Sequence, residues 1–247
     1  MTQHSSDKTL ITKENAYSIL KAFAKEYKKQ RGMSAPVEVI IVGGGSILLN
    51  YGFRDVTQDF DVMVQSMELI NNIANRVADL YNLPDNWLNT GFMHTASYSD
   101  KLREVSKHFC TFNNGSLEFR TVNEEYLIAM KMVSAREYRN DISDIVGILI
   151  HMKDASEDFL MERIDYAIGF LYGKREDIIK DDIYAKVKEY IERSVHELKK
   201  EYDALTQMEN QTRQELIAIN EKYQGVVKEE SIDKVIEGLR RRKNDGG

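Results

Sequence analysis

The sequence predicts an α/β (α+β) fold followed by an all-helical rear, and three observations carry this. A β-branched run at residues 37–42, Val-Glu-Val-Ile-Ile-Val, stops at Gly43, Gly44 and Gly45, as a strand does where the chain turns. Apolar residues on either side of it recur at helical spacing. Beyond Lys153 strand-like alternation disappears and only helical patterns continue, which divides the chain into a front domain at 1–152 and a helical C-terminal domain at 153–247.

Taken in order, Ala16, Ile19, Leu20, Phe23 and Tyr27 behind Thr12 predict an amphipathic helix ending near Gly32. The strand at 37–42 and its glycines follow, then a short helix at 46–51 stopped by Gly52 and a second strand at 60–64. A helical pattern runs over 67–81, with Ser66 as its cap and Pro84 beyond its end. Residues 85–106 show no clear periodicity. Two short strands at 108–112 and 116–120 flank Asn113, Asn114 and Gly115, a hairpin turn. Thr121 and Glu124 stand at capping-box spacing and open a helix carrying Leu127, Met130, Lys131 and Ser134, and another helix covers 140–151. In the rear, Ile191, Val195, Leu198, Tyr202 and Leu205 keep a four-three spacing that resumes at Leu216, Ile219, Tyr223 and Val226 after an interruption at Glu209 and Thr212. Three structures share that pattern: a long helix on its own domain, a helical hairpin, and a coiled coil with a second chain.

With 42% hydrophobic and 30% charged residues in 247, the composition excludes wholesale disorder. No apolar run reaches the roughly 18 residues of a membrane span, and the polar start is unlike an export signal, so the expected location is cytoplasmic with no membrane partner. Cys110 is the single cysteine, which excludes an intrachain disulfide and a cysteine-based zinc site. A net charge of −6 argues against general coating of nucleic acid. The basic cluster Arg240, Arg241, Arg242 and Lys243 reads as a solvated helix end.

The chemistry concentrates between the first two strands. Asp59 and Asp61 lie two apart in a predicted strand, so both side chains leave one face and reach one cation together. Gly44, Gly45 and Ser46 lie where a strand turns into a helix, a place where backbone N–H groups cradle phosphate oxygens. The short helix leads straight to the strand with both aspartates, so cradle and acid pair face one cleft.

The stretch IVGGGSILLNYGFRDVTQDFDVMV at 41–64 resembles the signature of polymerase β-like nucleotidyltransferases, and with Arg54, Thr57, Asp59 and Asp61 it is similar to the AbiEii-type proteins. Two further segments carry the resemblance: LPDNWLN at 83–89, and YLIAMKMVSAREYRNDISDI at 126–145, where Lys131, Asp141 and Asp144 match a lysine on one helix and paired aspartates on the next. It covers about residues 35–150. The resemblance implies a mixed sheet with flanking helices and transfer of NMP from an NTP to an acceptor hydroxyl, releasing pyrophosphate. It implies Mg2+ or Mn2+ on Asp59 and Asp61, with Glu118 as candidate third acid or else a solvated strand residue. Gly44, Gly45, Ser46, Arg54, Thr57 and Lys131 would bind the nucleotide, and Asp141 or Asp144 would be a general base, unless both acids serve as salt-bridge partners of Arg136 and Arg139. Among such relatives the acceptor is tRNA or protein, a small molecule stays open, and the role is that of a toxin in a toxin–antitoxin or phage-defence pair. An antitoxin or a second copy would engage the C-terminal helices. The alternative is a catalytically inactive module of the same fold that binds a nucleotide or a protein partner.

Overall fold

A computed structural model describes residues 8–31, 36–51, 53–65, 68–136, 139–153 and 157–223, with scattered positions between 232 and 238. The expected stops at Gly32 and Gly52, the cap at Ser66, the helix start at Met67, the seam position Val226 and the cluster Arg240, Arg241, Arg242 and Lys243 lie outside the described residues.

Strand β1 (Ile11–Thr12) leads into α1 (Lys13–Arg31), where Thr12 and Asn15 cap each other. The Thr12 N–H donates to Asn15 Oδ1 at 2.8 Å, and the Asn15 N–H donates to Thr12 Oγ1 at 3.4 Å. Next come β2 (Val37–Ile41), α2 (Gly43–Asn50), β3 (Val56–Thr57), β4 (Phe60–Met63), α3 (Glu68–Tyr81) and β5 (Leu88–Asn89). The hairpin is β6 (Ser106–Phe112) and β7 (Leu117–Val122), and the remaining helices are α4 (Glu124–Ser134), α5 (Asp141–Met152), α6 (Glu157–Tyr172), α7 (Asp181–Glu192) and α8 (Val195–Lys222). The structure is thus α/β in front and helical behind, as the sequence predicts.

Five strands form one mixed sheet in the order β5-β4-β2-β7-β6, and β1 pairs with β3 beside it. β2 runs antiparallel to β4 and parallel to β7, while β5 runs parallel to β4. Alternation sends Val39, Ile41, Phe60, Val62, Leu117 and Phe119 to one face, where they pack with α1 and α3. Ile40, Val42 and Val122 point to the other, and that cluster continues without a break through α4 and α5 into Leu160, Ile164, Val187, Tyr190, Leu198 and Leu205. One core therefore spans both sides of residue 153.

Three local expectations change. The glycines form the first turn of α2 instead of preceding it. Thr121 belongs to β7, so it caps nothing, and Asn123 stands at the N-cap of α4 without a side-chain cap bond. The stretch without clear periodicity holds β5 and two single 3-10 turns, at Gly91–His94 and Asp100–Arg103.

Helix α8 opens with a capping box in which Ser194 Oγ accepts the Glu197 N–H at 3.3 Å and the Glu197 carboxylate accepts the Ser194 N–H at 2.9 Å. Its seam residues Leu198, Leu205 and Leu216 are buried within the chain itself. These leucines pack α8 on its own domain, whereas Ile191 of the same spacing belongs to α7 and Tyr223 is exposed. No helix among the described residues is long and apolar enough to cross a membrane.

Candidate active site

The site lies where β2 ends and β4 begins. The Val42 N–H donates to the Asp61 carbonyl at 2.9 Å, which sets the start of α2 level with Asp61. Gly43 has φ +55°, in the left-handed region that suits glycine. A Cβ there would lie 3.8 Å from Asp61 Oδ2, so the carboxylate stands beside the turn. Val42, the N-cap of α2, offers no side-chain acceptor, and the first N–H groups of this helix stay uncapped by side chains.

Asp61 lies in β4 and Asp59 just before it, both half-buried. Asp59 Oδ2 accepts one hydrogen bond, from Asn89 Nδ2 at 3.2 Å. Asp61 has no hydrogen-bond or ion-pair partner among the described residues. Burial pushes its carboxyl up to about 6, and the neighbouring Asp59 adds to this, against the pull of Arg139, Lys131 and Arg136. Two adjacent carboxylates with free oxygens form a hard-oxygen donor set that suits a divalent cation such as Mg2+ or Mn2+. Among the described residues no third His, Cys, Asp or Glu joins them.

Glu118, the expected third acid, is on the same sheet face but at its other end. Its register partner in β2 is Glu38, four residues before Val42. At about 3.3 Å per residue this is roughly 13 Å along the strand from the acid pair. Its carboxylate pairs with Arg120 Nη1 at 2.8 Å. The structure does not bring Glu118 to the site.

Behind the site, α4 and α5 are apolar almost all round, with Leu127, Ile128, Ala129 and Met132 buried in one and Ile145, Val146, Ile148 and Leu149 in the other. The charged residues inside such helices must satisfy one another. Lys131 Nζ lies 2.7 Å from Asp141 Oδ1 and 2.8 Å from Asp144 Oδ2. Arg136 Nε and its backbone N–H both donate to Asp141 Oδ2 at 3.0 Å. Arg54 Nη1 donates to Asp144 Oδ1 at 3.0 Å and to Oδ2 at 2.7 Å. Burial works against the ionised form of Asp141, yet Lys131 and Arg136 outweigh it and hold the carboxyl well below the usual range. Both aspartates are engaged by cations, Asp141 by Lys131 and Arg136 and Asp144 by Lys131 and Arg54, which is the geometry of salt-bridge partners. Lys131 is the cation the two acids share.

Arg54 keeps a face toward the glycine turn, since a Cβ on Gly44 would lie 2.8 Å from its Cζ. Gly44 therefore lets a guanidinium lie on the uncapped start of α2, two positive features side by side. Gly45 serves packing instead: a Cβ there would meet Phe60 at 2.5 Å and Ile41 at 2.8 Å. Ser46 is fully buried and its Oγ accepts the Val122 N–H at 3.1 Å, so it ties α2 to β7. Thr57, also buried, donates to the Asp59 carbonyl at 3.0 Å and so shapes the approach to β4.

Helix α8 supplies residues that the sequence places only by their seam spacing. Tyr202 donates to the Phe53 carbonyl at 2.8 Å and packs edge-on against its ring, with centroids 5.8 Å apart. Glu209, an interruption of the seam by sequence, is buried and accepts the Ser143 N–H at 3.2 Å, capping the start of α5 from another helix. Arg213 beside it bonds Asn140 Oδ1 at the same helix start. None of these contacts is signalled locally, because each joins positions far apart in the chain.

A mixed sheet with a glycine turn facing an adjacent carboxylate pair defines the class: a nucleotidyltransferase fold of the polymerase β-like kind. The chain belongs to the family described as "Nucleotidyltransferase of unknown function (DUF6036)", whose model matches residues 18–195. No curated protein and no solved structure matches it.

Proposed function

We propose that this chain transfers a nucleoside monophosphate from an NTP to an acceptor hydroxyl, with Asp59 and Asp61 holding a divalent cation. The acceptor oxygen bonds to the α-phosphorus, the bond to the bridging oxygen of the β-phosphate breaks, and pyrophosphate leaves. A cation held by Asp59 and Asp61 would neutralise charge on the triphosphate and stabilise the charge that develops on the reacting oxygens. The uncapped N–H groups of α2 and the Arg54 guanidinium orient the phosphates from the opposite side. The observation that carries this reading is the placement of the Gly43 turn beside Asp61, a carboxylate without a hydrogen-bond or ion-pair partner among the described residues.

The resemblance to AbiEii-type proteins extends the reading to tRNA or protein as acceptor and to the toxin half of a toxin–antitoxin or phage-defence pair. A small molecule is the remaining class of acceptor. The second reading, an inactive module that binds a nucleotide or a protein partner, is favoured by one observation: among the described residues only two acids stand at the site. Incubation with each labelled NTP, Mg2+ or Mn2+, total tRNA and lysate protein decides between them. Label should pass to one acceptor class and vanish in Asp59→Asn and Asp61→Asn, each of which loses several kcal/mol of transition-state stabilisation. Equal transfer by both variants would sink the assignment of the acid pair, and no transfer by the wild type to any acceptor favours the module.

A further inference from the structure

The edge strand β5 brings a neutral side chain level with the acid pair. In the parallel pairing of β5 with β4, Asn89 is the register partner of Asp61, so the two share a sheet face on neighbouring strands about 4.8 Å apart. The carboxamide is fixed in orientation. Its Oδ1 accepts the Gly91 N–H at 2.8 Å, so the Nδ2 end faces Asp59 Oδ2 at 3.2 Å and also the Asn86 carbonyl at 3.3 Å. The turn is tight as well, since a Cβ on Gly91 would lie 3.0 Å from Asn89 Oδ1.

We infer that Asn89 is a positioning residue of the cation site: it occupies one oxygen of Asp59, aims the other at Asp61, and limits the pair to one cation in the absence of nucleotide. This rests on the reading of Asp59 and Asp61 as cation ligands. The carboxamide does two things there. As a donor it pins one rotamer of Asp59, so less ordering remains for a cation to impose. As an uncharged group it withholds the third carboxylate that a second cation would need.

The test is binding of Mn2+ alone, followed by the electron-paramagnetic signal of the free ion, together with melting temperature with and without Mn2+. Asn89→Asp keeps the acceptor for the Gly91 N–H but turns the donor toward Asp59 into a third carboxylate. It should bind Mn2+ on the order of tenfold more tightly than wild type, or take a second ion, while its melting temperature falls without Mn2+ and recovers with it. Asn89→Ala should move the other way, with Mn2+ affinity several-fold weaker and no rescue by the ion. A role in the β5 turn alone predicts lower stability in both variants with unchanged Mn2+ binding. That result, with binding still abolished by Asp59→Asn, would overturn the inference and leave the reading of the acid pair standing. No Mn2+ binding by either wild type or Asn89→Asp would overturn both.

Discussion

Replacing Lys131 by Met separates a ligand-binding lysine from a structural one, because methionine keeps much of the apolar stem and removes the ammonium. Lys131 bridges Asp141 and Asp144 at 2.7 and 2.8 Å inside a buried pair of helices. Removing one partner of a buried ion pair costs about 3 to 5 kcal/mol, since the remaining charge is left without compensation. Here the cost should sit at the lower end, about 3 kcal/mol, because Asp141 retains Arg136 and Asp144 retains Arg54. For a chain of this size that is a fall in melting temperature of about 6 to 12 °C. Urea denaturation of Lys131→Met, Asp141→Asn and the double variant measures it, and the coupling energy between the two positions should reach at least about 1 kcal/mol. NTP affinity, measured by calorimetry below the melting transition, should change less than stability does. Stability within about 0.5 kcal/mol of wild type, combined with a tenfold or greater loss of NTP affinity, would refute the structural assignment and return Lys131 to the triphosphate.

Three further outcomes follow from the same geometry. Burial lifts Glu209 to about 7 and, with Asp59, lifts Asp61 to about 6, both above their ordinary range. Each group therefore takes stability away as pH rises from its unfolded value near 4 through its raised value, so the fold should gain stability as pH falls from about 7 toward 5, by roughly 3 kcal/mol through Glu209 and roughly 1 kcal/mol through Asp61. Below about 4 the trend reverses as Asp141 loses its ion pairs. Urea midpoints across that range check this, and Glu209→Gln or Asp61→Asn should flatten the rise; a midpoint that falls steadily from pH 8 to 5 contradicts it. Gly147→Ala should cost about 1 to 3 kcal/mol, because its Cβ would lie 2.5 Å from the Phe53 ring; an unchanged melting temperature would show that the loop yields freely. Leu205→Glu should unfold the protein or lower its melting temperature sharply, since this leucine is buried in the chain's own core; a stable variant of smaller assembled mass would instead mark it as an interface residue.

What the sequence discloses and what it hides divide along local and non-local contacts. The stripe of Ala16, Ile19, Leu20, Phe23 and Tyr27 gives α1 directly, and the β-branched run gives β2, because each pattern repeats with the period of its own element. The neighbourhood of the Gly43 turn and Asp61 is legible for the same reason: a single short helix joins them. Glu118 is not, because its place follows from a parallel register in which Val37 meets Leu117, and nothing in the spacing encodes that start. Lys131 looks free for a ligand until the chain reverses between α4 and α5, where Ala135 takes φ +36° and sends Arg136 back onto Asp141. Ser46 resembles a phosphate-binding hydroxyl until β7 claims it. Asn89 sits in a quoted motif, yet its role appears only when β5 aligns with β4.

The contribution of α8 to the wall behind the site sets a timetable for biosynthesis. Asp59 and Asp61 leave the ribosome first, whereas Tyr202, Glu209 and Arg213, which tie down Phe53 and the start of α5, are made later. At about 5 to 20 residues per second, the roughly 150 residues between these groups take about 8 to 30 seconds to translate. During that interval the nascent chain carries its acid pair without the helix that holds Phe53, next to Arg54, in place. The wall behind the acid pair is thereby left incomplete until α8 has been made.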